Sequence, residues 1–122
     1  MKRSVKALHE VLKDLAVKKI KEIDRAAMAE FDNLKKVIYR DLAENGVSGI
    51  KLTYYCSGFE IFIEPNADNA DKGLVILSKY VVDIMRIFAE RDRKREKVRK
   101  WENAALEALV SGKEIPSIEE VV

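Results

Sequence analysis

From Ser4 to Glu44 the chain contains no proline and no glycine, and apolar residues recur at Val5, Leu8, Leu12, Ala16, Ile20, Ile23, Ala27, Phe31, Leu34, Ile38 and Leu42. Ten steps cover 37 residues, 3.7 per step, close to the roughly 3.6 of an unsupercoiled helix. Ser4 is placed to cap the start. Asn45-Gly46 supplies the stop, because glycine accepts the left-handed conformation that closes a helix. The spacing predicts one helix of about 40 residues, roughly 60 Å long at 1.5 Å per residue.

The period then changes from helical to alternating. Ile50, Leu52, Tyr54 and Cys56 alternate with Lys51, Thr53 and Tyr55, and beyond Ser57-Gly58 the residues Phe59, Ile61 and Ile63 alternate with Glu60, Phe62 and Glu64. Two short alternating runs around a glycine-containing turn predict a β-hairpin. With Ser57-Gly58 as the turn, Cys56 pairs with Phe59, Tyr54 with Ile61 and Leu52 with Ile63. Lys51 then lies opposite Glu64, and Tyr55 opposite Glu60. One face is apolar and packs on a helix, since two strands alone are marginal.

Pro65 to Asp71 reads as a loop whose Asn66, Asp68, Asn69 and Asp71 suit turn and capping positions. A second helix is predicted from between Asp68 and Gly73 to about Ser111-Gly112. Its first half carries a heptad seam at Leu74, Leu77, Val81, Ile84 and Phe88. Extended further, the seam lands on Arg91 and Arg95, before Val98, Trp101, Ala105 and Leu109 restore it. The fold class is mainly α (α+β): two long helices joined by a β-hairpin, α-β-β-α, over residues 1–112, with a tail over 113–122 that docks or frays. Helix pairs are expected to assemble into an oligomeric bundle.

The segment from Glu90 to Lys100 holds seven basic and three acidic side chains, a local +4 in a chain whose total is +2. Folded back about the hairpin, it faces about Asp14 to Ile23, where Lys18, Lys19 and Lys21 add positive charge. Lys18, Lys19, Lys21, Arg93, Lys94, Lys97, Arg99 and Lys100 are therefore the candidate phosphate contacts if the partner is nucleic acid. The bland alternative is a solvated helix laced with pairs such as Glu90 with Lys94. The interruption also leaves the facing part of helix 1 without an apolar partner. Exposed apolar stripes mark interfaces, so Leu12, Leu15, Ala16, Ile20, Ile23, Val98, Trp101 and Leu109 are the candidate surface for a homodimer or higher homo-oligomer.

Composition narrows the chemistry. With 122 residues, 48% hydrophobic and 36% charged, the chain is one ordinary domain able to bury a core. Its amino-terminal stretch is charged throughout and no run is long enough to span a bilayer, so no membrane partner and an intracellular setting are expected. One cysteine, Cys56, and one histidine, His9, exclude an internal disulfide framework and a Cys-cluster zinc site. Cys56 is expected as a half-buried thiol and His9 as a histidine flanking the stripe. The Asn/Asp loop lacks the EF-hand register. Glu60 and Glu64 read as cross-strand partners, not as an acid/base pair. No catalytic residue, cofactor, metal ligand or small-molecule substrate is indicated. The absence of glutamine and the single threonine, Thr53, match a balance that heat-adapted proteins favour.

Two helices joined by one hairpin over Ser4 to Gly112 resembles the topology of the β-type subunits of prefoldin, which implies a chaperone that holds other chains at helix tips. Small nucleoid-associated proteins that sandwich a short sheet between helices offer a second likeness. Helix 1 departs from the first through its 3.7 period, and helix 2 through its charged centre. The expectation is a protein that works by binding, either as a self-associating assembly module or, alternatively, on nucleic acid.

Overall fold

The computed structural model describes residues 2 to 121, with the side chains of residues 7 to 119 and of Val121. It is mainly helical: α1 (Lys2–Glu44), strands β1 (Ile50–Tyr55) and β2 (Gly58–Ile63), α2 (Ala70–Ser78), α3 (Val81–Ser111) and a 3-10 turn (Ile118–Glu120). Since α1 begins at Lys2, Ser4 lies inside the helix and not at its cap. Val5, the first residue of the predicted stripe, has its side chain outside the described residues. Asn45-Gly46 closes α1 as expected, with Gly46 at φ 70°. The chain divides into two compact units, one of residues up to 26 with those from 90 on, the other of residues 27–89.

In the 27–89 unit the α1 stripe buries Phe31, Ile38 and Leu42 against Val47, Ile50, Leu52, Ile76, Leu77, Ile84 and Phe88. The rings of Phe31, Tyr54, Phe59 and Phe88 stack or tilt on one another at 5.2–5.8 Å between centroids, the spacing aromatic pairs favour. The hairpin forms with its apolar face inward, but its register is two residues from the expected one. Ile50 pairs with Ile63, Leu52 with Ile61 and Tyr54 with Phe59, and the turn is Cys56-Ser57. A shift of two keeps every side chain on its face, so Leu52 is buried, Tyr54 and Ile61 are half-buried, and Lys51 and Glu60 are exposed. Ile63 at the open end is exposed, contrary to expectation. Lys51 still reaches Glu64, diagonally, at 3.0 Å. The outward N–H of Leu52 donates to Tyr39 Oη at 2.8 Å, which satisfies one group of an otherwise open strand edge.

The second helix is interrupted. Its ladder tightens at Lys79 and Tyr80, whose N–H groups donate to Ile76 O and Leu77 O, three residues back. No proline or glycine marks the place. Tertiary contacts hold it: Tyr80 Oη donates to Asp41 Oδ2 at 2.6 Å, and Asn45 Nδ2 donates to the same carboxylate at 3.0 Å. Because α2 ends there, its buried side is Gly73, Ile76 and Leu77, and Leu74, expected in the seam, is 47% exposed. Gly73 lets α2 lie directly on the loop and β1, since a Cβ there would sit 2.4 Å from Ile50 Cδ1 and 2.8 Å from Val47 Cγ1. Asn69 occupies the α2 N-cap position in the left-handed region without capping it. Its Nδ2 instead donates to Gly46 O at 2.8 Å, so the capping role expected of this loop is replaced by a tie to the end of α1.

In the other unit, Leu12, Ala16 and Ile23 of α1 pack with Val98, Trp101 and Ala105 of α3, and Ile20, Leu109, Ile115, Ile118 and Val121 close the cluster. The tail therefore docks. Trp101 Nε1 donates to Pro116 O at 2.8 Å, and the 3-10 turn is capped by Ser117 Oγ, which accepts from Glu119 N at 3.3 Å.

Candidate functional site

The sequence left α1 between Leu12 and Ile23 without a partner, and the structure covers it within the chain. Leu12, Ala16, Ile23, Val98 and Trp101 are buried, Ile20 and Leu109 are half-buried, and only Leu15 of the expected interface set is exposed. The correction has two sources. The tail supplies Ile115, Ile118 and Val121. Val98, Trp101 and Ala105 of α3 supply the seam, and within the charged segment Arg91 is 2% exposed and the Arg95 side chain 13%. Arg95 Nε donates to Asp24 Oδ1 at 2.8 Å, with its Nη2 on the same oxygen. Folding about the hairpin centre would have set Arg95 against Lys19. The real pairing lies five residues further along α1, where an acid waits. Asp92 Oδ1 accepts from Arg91 Nε at 3.1 Å and lies 3.7 Å from Arg95 Nη1, and no buried side-chain nitrogen or oxygen among the described residues lacks a hydrogen-bond partner. The buried arginine heads are thus paired with Asp24 and Asp92.

The remaining basic residues separate by position. Lys18, Lys21, Arg93, Lys97, Arg99 and Lys100 are exposed, and Lys19 and Lys94 half-buried. Arg93 pairs with Glu90 at 2.7 Å, Arg99 with Glu96 at 3.8 Å and Lys19 with Glu22 at 4.0 Å. The Arg93 hydrogen bond and charge, with Lys94 and then Lys97 beyond it, hold the Glu90 carboxyl below its usual range. Arg93, Lys97 and Lys100 fall at i, i+4 and i+7, one line along α3. Lys21, two residues before the buried Ile23, lies on the outer side of α1. The docked tail lines two grooves. One, of about 220 Å³, has Leu15, Lys18, Lys19 and Glu22 of α1 beside Ile118 and Glu119. The other, of about 450 Å³, has Lys97, Lys100, Trp101 and Ala104 of α3 beside Pro116, Ser117 and Val121. Lys18 and Lys19 thus line one groove, and Lys97 and Lys100 the other.

In the 27–89 unit a different surface stands out. Leu74 is 47% exposed, its neighbour Val75 64%, and on α3 Val82 is 65% and Met85 59% exposed. They occupy the side of α2 and α3 away from Ile76, Leu77, Ile84 and Phe88. The seam reading passed over them, although apolar residues at i, i+7 and i+10 off the seam were a visible signal. Elsewhere, Cys56 is exposed in the hairpin turn and not half-buried, because the register shift moves it from the strand into the turn. His9 is exposed on α1. No helix among the described residues is long and apolar enough to cross a membrane.

Comparison of the chain with protein-family models, with curated proteins and with solved structures finds no match.

Proposed function

We propose that this protein is a non-enzymatic assembly module that binds protein, first of all a second copy of itself, through the outer side of α2 and the start of α3. The observation that carries this is the exposure of Leu74, Val75, Val82 and Met85, each between 47% and 65%, on a face with no role in the core. Exposed apolar surface clustered on one side marks interaction sites and is otherwise a liability. Two-fold symmetry is the commonest way to cover it, and two such corners face to face make a short helix bundle. Light scattering over a range of concentrations tests the reading. A dimer is expected, and Val82→Glu with Met85→Lys should give a monomer with unchanged helix content. A wild-type chain that is monomeric at every concentration would refute self-association.

The line of Arg93, Lys97 and Lys100 supports a second reading, contact with nucleic-acid phosphates, because no acidic partner lies within ion-pair distance of either lysine among the described residues. Binding of this type weakens steeply with salt, by roughly one unit of log-log slope per phosphate contact. Lys97→Glu with Lys100→Glu should abolish it. No shift of a DNA or RNA duplex by the wild-type chain at low salt removes this reading.

A further inference from the structure

We infer that the groove between α3 and the docked tail is a binding site for a small amphipathic anion, of the class of a medium-chain carboxylate. This goes beyond both readings above and rests on neither. The groove is wide open to solvent and holds about 450 Å³, room for a small ligand lying along the surface. Its floor is apolar, built by Trp101, Ala104, Pro116 and Val121. The one polar atom of the indole is already satisfied, since Trp101 Nε1 donates to Pro116 O, so the ring asks nothing of a ligand but contact. Trp101 is 6% exposed, too covered for a nucleobase to stack on its face but able to wall a slim hydrocarbon chain.

The rim supplies the charge. Lys97 and Lys100 stand three residues apart on the same side of α3 and both line the groove. Among the described residues no acid lines the groove, and Glu96, one turn before Lys100, pairs with Arg99. Ser117 Oγ accepts from Glu119 N, which leaves its hydroxyl proton to be donated to an anionic head. Two ammonium groups beside one hydroxyl, over an apolar floor, complement a carboxylate with a hydrocarbon tail. A cationic head would be repelled, and a bare anion would gain nothing from the floor. One wall is the tail itself, reached through Gly112, so a bound ligand also holds the tail down and should raise thermal stability.

Decanoate, kept below its micellar concentration, is the probe. Trp101 is the sole tryptophan, so its emission reports on the site directly, and calorimetry gives the stoichiometry. Saturable one-to-one binding that shifts Trp101 emission is expected, with no response to acetate or to decyltrimethylammonium. Lys97→Glu with Lys100→Glu should weaken binding at least tenfold. Ala104→Phe, at an exposed position where the fold is kept, should fill the floor and weaken decanoate equally while leaving any nucleic-acid binding intact. No saturable binding of decanoate, an equal response to the cationic analogue, or binding lost with the lysines but indifferent to Ala104→Phe would each overturn the inference.

Discussion

Removing the Asp24 carboxylate measures how α3 was made to cover α1. Asp24→Ala leaves Arg95 with 13% of its side chain exposed and without the acceptor that took its Nε and Nη2 hydrogen bonds. Breaking a fully buried pair costs about 3–5 kcal/mol and an exposed one about 0–1 kcal/mol. Asp24 is itself 30% exposed, and Asp92 remains 3.7 Å from Arg95 Nη1 to compensate in part. The expected loss therefore falls between these limits, about 2 kcal/mol, which for a domain of this size is roughly a 6–10 °C drop in Tm. Arg95→Met should cost less, because it removes the poorly solvated cation and leaves an aspartate that water can reach. Urea unfolding of the two single variants and the double variant closes the cycle, with a coupling of about 1–2 kcal/mol expected. The coupling should persist at high salt, since the pair is partly shielded from ions. A coupling near zero, or one that vanishes in 1 M salt, would mean that Arg95 is merely solvated and that the packing argument for the charged segment fails.

Two further outcomes follow from the 27–89 unit. Gly73→Ala adds a Cβ 2.4 Å from Ile50 Cδ1 and 2.8 Å from Val47 Cγ1. Overpacking of about 1–3 kcal/mol should outweigh the roughly 1 kcal/mol gained in helix propensity, and a variant as stable as the wild type in urea would contradict the close approach. Tyr80 donates to Asp41, and that hydrogen bond, with burial and the Asp41 charge behind it, raises its phenol above the usual 10.0. A raised pKa in the folded state means the contribution is complete below pH 10 and is lost as pH rises through the folded value. Stability should accordingly fall above pH 10 in the wild type and fall less in Tyr80→Phe, as followed by urea midpoints across that range; parallel curves for the two proteins would show that the bond does not hold the α2–α3 junction.

The elements whose signals are local were legible in the residues themselves. A 3.7-residue period with no proline or glycine could only be α1, and the alternation from Ile50 to Ile63 could only be a hairpin with Leu52, Tyr54 and Ile61 inward, because side-chain direction depends on spacing alone. The register was less secure: a shift of two residues leaves the pattern of faces untouched, so periodicity could not choose between Cys56-Ser57 and Ser57-Gly58 as the turn. Nothing in the order of residues marked the break at Lys79-Tyr80, which depends on a hydroxyl meeting Asp41, 39 positions away. The candidate surfaces followed the same rule. The cations of Glu90 to Lys100 were visible, but whether each faces water or the core depended on which stretch of α1 they meet, and a change of five residues in that pairing set Asp24 opposite Arg95 in place of Lys19. That change turned a gap into a seam and covered the stripe once assigned to a partner, while the exposed side of α2 and α3 is one apolar surface that stays open. Charge and hydropathy are properties of the chain; which of them are buried is decided by neighbours that only folding brings within reach.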